Sequence, residues 1–237
     1  NNGTYTATYT VVEGDAKVAD GGSVTTDLGF TDAAGNVGAK TTSVTLGGES
    51  IDATKPTISA VSITDAAMNI DDVVTATITV GNATGETLSL SSGSIGGFAL
   101  SNLSKTNDTT YTAQFTVTDG GTDVASGADI PVSLVLADPN GNASATFTTA
   151  ISQASDAIDA NAPTIASVAV ADGTYQIGDT VTVTITATGN EAGLTLSSKT
   201  FNGQTLTNVT DQNNGTYTAT YTVVEGDAKV ADGGSVT

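Results

Sequence analysis

The stretch Asp138-Pro-Asn-Gly-Asn142 sets oxygen-bearing side chains at positions 138, 140 and 142. That is the spacing at which the first, third and fifth residues of an EF-hand loop present ligands to calcium. The twelfth position, where such a loop needs a bidentate glutamate, is Thr149, so the stretch by itself is an incomplete site. It also reads as a plain β-turn, because Asp, Asn and Gly each favour turns for their own reasons. The same D-x-x-G-N pattern stands at Asp32 to Asn36. What separates the two readings is whether other carboxylates are brought to the turn, and that depends on the elements around it.

Composition favours a cation as partner. The 237 residues contain 25 Asp plus Glu against six basic residues, a net charge of −19, with no Cys and no His. Such a charge repels nucleic acid and anionic membrane and attracts divalent cations. Without Cys there are no disulfides to stabilise the fold. Without His or Cys, catalysis would need a carboxylate pair or a Ser/Thr–Lys arrangement, and no such cluster is legible. Lys17 and Lys229 are one position in two copies of a repeat, which an enzyme has no reason to duplicate. The chain is therefore expected not to be an enzyme. No apolar run approaches the ~20 residues of a membrane span, and no signal peptide is visible; the sequence reads as an internal piece, with any targeting signal outside it.

The repeat is long. Asn1 to Thr25 and Asn213 to Thr237 are identical, a period of 212 residues, and Thr110 to Val117 echoes Thr4 to Val11 at half that spacing. Two related units of about 106 residues thus fill each period, a common size for one domain. Asp52-Ala-Thr-Lys-Pro-Thr57 and Asp159-Ala-Asn-Ala-Pro-Thr164 mark the joints. The expected organisation is the end of one domain in residues 1–52, a complete domain in 53–159 and the beginning of a third in 160–237.

Each unit is expected to be all-β. Thr180 to Thr188 alternates apolar residues (Val181, Val183, Ile185, Ala187) with threonines, and Thr4 to Val11 alternates in the same way through Tyr5, Ala7, Tyr9 and Val11. Period two with β-branched residues means half-buried strands. In the central unit the pattern predicts strands near 58–63, 73–80, 87–92, 98–103, 110–117, 130–137 and 143–150, which suits a seven-stranded immunoglobulin-like antiparallel sandwich. The incomplete end units would each expose half a core.

That topology puts the turn between the last two strands at the domain's leading end, beside the incoming linker. Asp138, Asn140 and Asn142 should then approach Asp52 and the preceding unit's Glu13, Asp15 and Asp20. At the next joint Asp65, Asp119 and Asp123 should approach Asp156 and Asp159, with Glu191 offered by the following unit. Two acidic junctions result, each costly to close without a cation.

Tandem acidic sandwiches with D-x-x-x-P-T joints, D-x-x-G-N turns and the stretch Asp172-Gly-Thr-Tyr-Gln-Ile-Gly-Asp-Thr180 resemble the bacterial Ig-like repeats of giant RTX and biofilm-associated surface adhesins, over the whole chain. The resemblance implies type I secretion, an extracellular place on the bacterial surface, and a role as a Ca²⁺-stiffened extender that holds an adhesive domain away from the cell. It implies neighbouring repeats of the same chain and calcium ions as partners, with Asp172 added to the candidate ligands, and neither nucleic acid nor direct membrane contact.

The alternative is a β-sandwich that binds carbohydrate or ice. Sugar sites usually present aromatic platforms, and Trp is absent. Rows of threonine such as Thr180 to Thr188 could form an ordered hydroxyl face, but Thr is also a good strand former on a solvated face. Asn-x-Ser/Thr triplets, as at Asn82, Asn142 and Asn208, are expected by chance in a chain this rich in Asn and Thr.

Overall fold

The computed structural model describes residues 3–154, 157–231 and 233–234. The chain falls into two compact units, residues 1–161 and 162–237. In the first, β1 (Ser23–Leu28) and β2 (Thr41–Thr45) precede β3 (Thr57–Ile63), β4 (Met68–Asn69), β5 (Val73–Gly81), β6 (Ser89–Ile95), β7 (Phe98–Ala99), β8 (Ser101–Asn107), β9 (Thr110–Thr116), β10 (Val132–Ala137) and β11 (Ile158–Asp159). The second carries β12 (Ile165–Val170), β13 (Thr180–Ala187), β14 (Thr200–Phe201), β15 (Gln204–Thr205), β16 (Thr207–Asp211) and β17 (Thr216–Thr222), with one 3-10 turn at Thr188–Asn190.

Residues 53–161 form an antiparallel sandwich. One sheet has the order β3-β5-β9-β8, the other β10-β6-β7. Inward residues of both supply a single core in which Ile78, Ile95, Tyr111, Phe115, Leu134 and Leu136 are all but fully buried. The alternation seen in sequence is the cause, since every second residue of β5 and β9 must face the same way. Burying side chains of this size stabilises by roughly 1.5–3 kcal/mol each. The stretch 143–150, predicted as a seventh strand, is not a continuous one. It touches its neighbours through single bridges, Ala137 to Ala143, Leu134 to Phe147 and Ile130 to Ile151.

The Tyr111 hydroxyl closes the edge of this core. It accepts from the Leu88 amide at 3.0 Å and donates to the Glu86 carbonyl at 3.2 Å. Tyr217 does the same for the Leu194 amide and the Glu191 carbonyl. Tyr111→Phe removes both partners and is expected to cost about 1 kcal/mol. A urea titration checks this: no change in midpoint would mean that water takes the hydroxyl's place freely.

The second unit repeats the first sheet in the order β12-β13-β17-β16. Val181, Val183, Ile185, Tyr217, Ala219 and Tyr221 are its core. Residues 4–11 correct the expectation built on their alternation, for they form no strand, and Tyr5 and Tyr9 are 77% and 66% exposed. Their identical copy, 216–222, is a buried strand because β13 and β16 pair with it on either side. The same residues have both fates, so the strand is made by its partners and only permitted by its sequence.

Candidate metal centre

The Asp138 turn is locally encoded. Asp138 Oδ1 accepts from the Asn140 and Asn142 amides at 2.9 and 2.8 Å, and Oδ2 accepts from Asn142 Nδ2 at 2.8 Å. Asp32 receives the same three bonds from Ala34 and Asn36 at 2.9, 2.8 and 2.8 Å. Both turns need a residue with positive φ at the fourth place, and Gly141 (φ 93°) and Gly35 (φ 90°) supply it. The Asn36 side chain, followed by the amides of the turn, holds the Asp32 carboxyl below the usual carboxylate range.

The surroundings differ. Asp32 is exposed, whereas Asp138 is 3% exposed. Asn140 Nδ2 donates to Asp52 Oδ2 at 2.6 Å, and Asn142 Nδ2 to the Asp52 carbonyl at 3.2 Å. Turn and linker are thus joined. Among the described residues, the acids whose carboxylate oxygens lie within 4.8 Å of one another are Asp52, Glu86 and Asp138. They come from the linker, the β5–β6 turn and the β10 turn.

Lys17 closes this group. Its ammonium lies 3.0 Å from Asp52 Oδ2 and also bonds Glu86 Oε1. Burial pushes the Asp52 carboxyl up, but the bonds from Lys17, Asn140 and the Thr54 amide outweigh it and leave it below its ordinary value. Glu86, then Asp52, hold the Lys17 ammonium above its ordinary value. Three carboxylates against one ammonium leave two formal negative charges, and Glu86 Oε2 is buried with no hydrogen-bond partner. Hard oxygen donors with residual charge suit Ca²⁺. Lys17, whose side chain is 51% exposed, has room to turn outward.

The remaining candidates lie elsewhere. Glu13 pairs with Lys55 at 3.5 Å, Asp15 is held by the Tyr9 hydroxyl and the Val12 amide, and Asp20 is exposed. None of the three joins the Asp52 group. Of the second set, Asp123 Oδ1 accepts from the Ala160 amide and from Asn161 Nδ2, both at 2.8 Å. Asp159 accepts from the Asn161 amide at 3.3 Å. Asp65 and Asp119 are exposed in unit 1, Asp172 and Glu191 in unit 2; Asp156 lies outside the described residues. Within unit 1, Asp65, Asp119, Asp123 and Asp159 do not gather as Asp52, Glu86 and Asp138 do.

Sequence reasoning missed Glu86 and the role of Lys17. Aligning the two units on their shared bonds marks both positions. Glu191 and Glu86 each give their carbonyl to the tyrosine of their unit, so choosing Glu191 for one joint implied Glu86 for the other. Lys17 aligns with Asp123, since Val18 bridges Ile51 as Val124 bridges Ile158. One joint therefore carries a cation where the next carries an acid.

The fold is an all-β, immunoglobulin-like antiparallel sandwich. Residues 159–234 match the family described as bacterial Ig-like domain. No curated protein sequence matches the chain.

Proposed function

We propose that the chain is a non-catalytic run of extender repeats from a bacterial cell-surface adhesin, with Ca²⁺ stiffening the joint at Asp52. The observation that carries this reading is the joint itself, where Asp52, Glu86 and Asp138 meet around one lysine with charge to spare. The bacterial Ig-like match over residues 159–234 supports a repeat module, and the acidic composition supports a cation partner. Asp52, Glu86 and Asp138 would supply carboxylate oxygens, with the Asn140 and Asn142 side-chain amides beside them. A bound Ca²⁺ supplies charge neutralisation that ties linker, turn and loop together. Extracellular calcium modules bind in the range of ~10⁻⁴–10⁻³ M, so such a site fills outside the cell and stays empty in the cytoplasm.

Calorimetric titration of the full chain with CaCl₂, and melting with Ca²⁺ or chelator, test this. At tenfold excess over the dissociation constant, Ca²⁺ is expected to add about 1.4 kcal/mol of stability. Asp52→Ala should abolish that increment while leaving the sandwich folded. Absence of binding heat together with equal melting curves would reject the calcium reading and leave the repeat reading standing.

A further inference from the structure

Asn140 is followed by Gly141 at the tip of the Asp138 turn, and we infer that this pair is a site of spontaneous deamidation: the Gly141 nitrogen attacks the Asn140 side chain, and the carboxylate left behind faces Asp52.

The sister turn shows that Asn140 does not serve the turn itself. Asp32 closes with the same three bonds around Ala34, which stands in the same place, so the backbone needs no side-chain amide there. What Asn140 adds is a bond to the linker, its Nδ2 donating to Asp52 Oδ2 at 2.6 Å.

The position of that amide makes it reactive. Having no Cβ, Gly141 leaves its backbone nitrogen unshielded and its backbone easy to move. It holds φ 93°, and the place where a Cβ would stand is clear to 4 Å. Its N–H makes a long bond to the Asp138 carbonyl, 3.2 Å against 3.0 Å for the same bond from Gly35. Asn140 and Gly141 are both exposed, so water reaches them. Asn142 and Asn36 are followed instead by Ala143 and Val37, whose side chains shield the nitrogen, and both asparagine side chains are tied to the aspartate of their turn.

The chemistry needs no partner but water. The Gly141 nitrogen gives up its proton and bonds to Asn140 Cγ, the bond from Cγ to the side-chain nitrogen breaks, and ammonia leaves with that proton. A cyclic imide remains. Water opens it at Cγ to give aspartate, or at the main-chain carbonyl to give isoaspartate. The sum is amide plus water to carboxylic acid plus ammonia, with nothing oxidised or reduced.

Either product replaces a donor by a carboxylate. An aspartate at 140 turns the hydrogen bond to Asp52 into a contact between like charges, which repel at that range. Lys17 already serves Asp52 and Glu86, so the group of Asp52, Glu86 and Asp138 gains a carboxylate and no cation. Isoaspartate also lengthens the main chain and opens the turn. Ageing therefore loosens the joint, and the loss of ammonia makes the change one-way.

Incubating the full chain in chelator at mildly alkaline pH, followed by peptide mapping by mass spectrometry, tests the site with no role for calcium, so its outcome is separate from that of the calcium reading. The expected result is conversion of amide to acid at Asn140 while Asn142 and Asn36 keep their amides. The urea-unfolded chain is the control. An Asn140 amide that stays intact in the folded chain after the unfolded chain has lost it, or conversion no faster at Asn140 than at Asn142, overturns the inference. Two variants measure the consequence, and Ala34 shows that the turn closes without an amide in either. In chelator at neutral pH the folded-to-unfolded ratio should fall about 10-fold in Asn140→Asp, and by less in Asn140→Ala, which loses the donor without adding a charge. Equal urea midpoints for the two variants would overturn the effect on the joint.

Discussion

Lys17→Met is expected to lower the stability of unit 1 by about 2 kcal/mol at neutral pH and to make the remainder strongly dependent on calcium. The reason is asymmetry. Asp52 and Glu86 keep 3% and 15% of their side-chain surface exposed, and removing the cation strands both. Breaking a buried ion pair from one side costs about 3–5 kcal/mol; the figure is reduced here because Lys17 itself is half in solvent. Methionine keeps the stem and removes only the charge.

The pH profile separates this from a loss of packing. In the parent, the Asp52 carboxyl is held low, so its contribution is present above the ordinary carboxylate value and is lost as pH falls through the lowered one. The Lys17 ammonium is held high, so its contribution is present below the ordinary lysine value and is lost as pH rises through the raised one. Between those limits the joint is stable. In the variant the alkaline loss disappears. Urea titrations across pH, with Ca²⁺ and with chelator, measure all of this. Equal midpoints at neutral pH, with parallel pH profiles, would show that the lysine contributes nothing.

The sheets were legible because period-two alternation is a local property that survives any tertiary context. Thr180 to Thr188 and Thr110 to Val117 became β13 and β9 nearly as read. Residues 4–11 were read equally well as a pattern and still form no strand, because pairing depends on neighbours that no pattern inside the segment encodes. The D-x-x-G-N turns were legible for the same local reason, and both closed with the same three bonds. Strand topology carried the Asp138 turn to Asp52. It did not reveal the Lys17–Glu86 pair, whose members are 69 positions apart and meet only where the fold sets the β5–β6 turn beside Asp52. A lone lysine in an acidic chain reads as a solvated charge until that turn is placed.

The turns supply their own control for the largest single-residue effect expected. Asp138→Ala should cost about 3 kcal/mol, and clearly more than Asp32→Ala. Locally the two substitutions are alike, since each deletes a carboxylate accepting from two amides and one asparagine side chain. At Asp32 water replaces the lost acceptor. At Asp138, 3% exposed, water reaches poorly, and each stranded donor retains its desolvation cost of about 1 kcal/mol. Asn142 is also the residue that donates to the Asp52 carbonyl, so a loosened turn loosens the joint. Asp138→Asn keeps an acceptor for the amides and drops the charge; it should recover at least half of the stability without restoring any calcium response. The readouts are urea midpoints for the three variants and hydrogen exchange at the amides of residues 34, 36, 140 and 142. If Asp138→Ala proves no costlier than Asp32→Ala, the buried turn is only a turn, and Asp138 has no part in closing the joint.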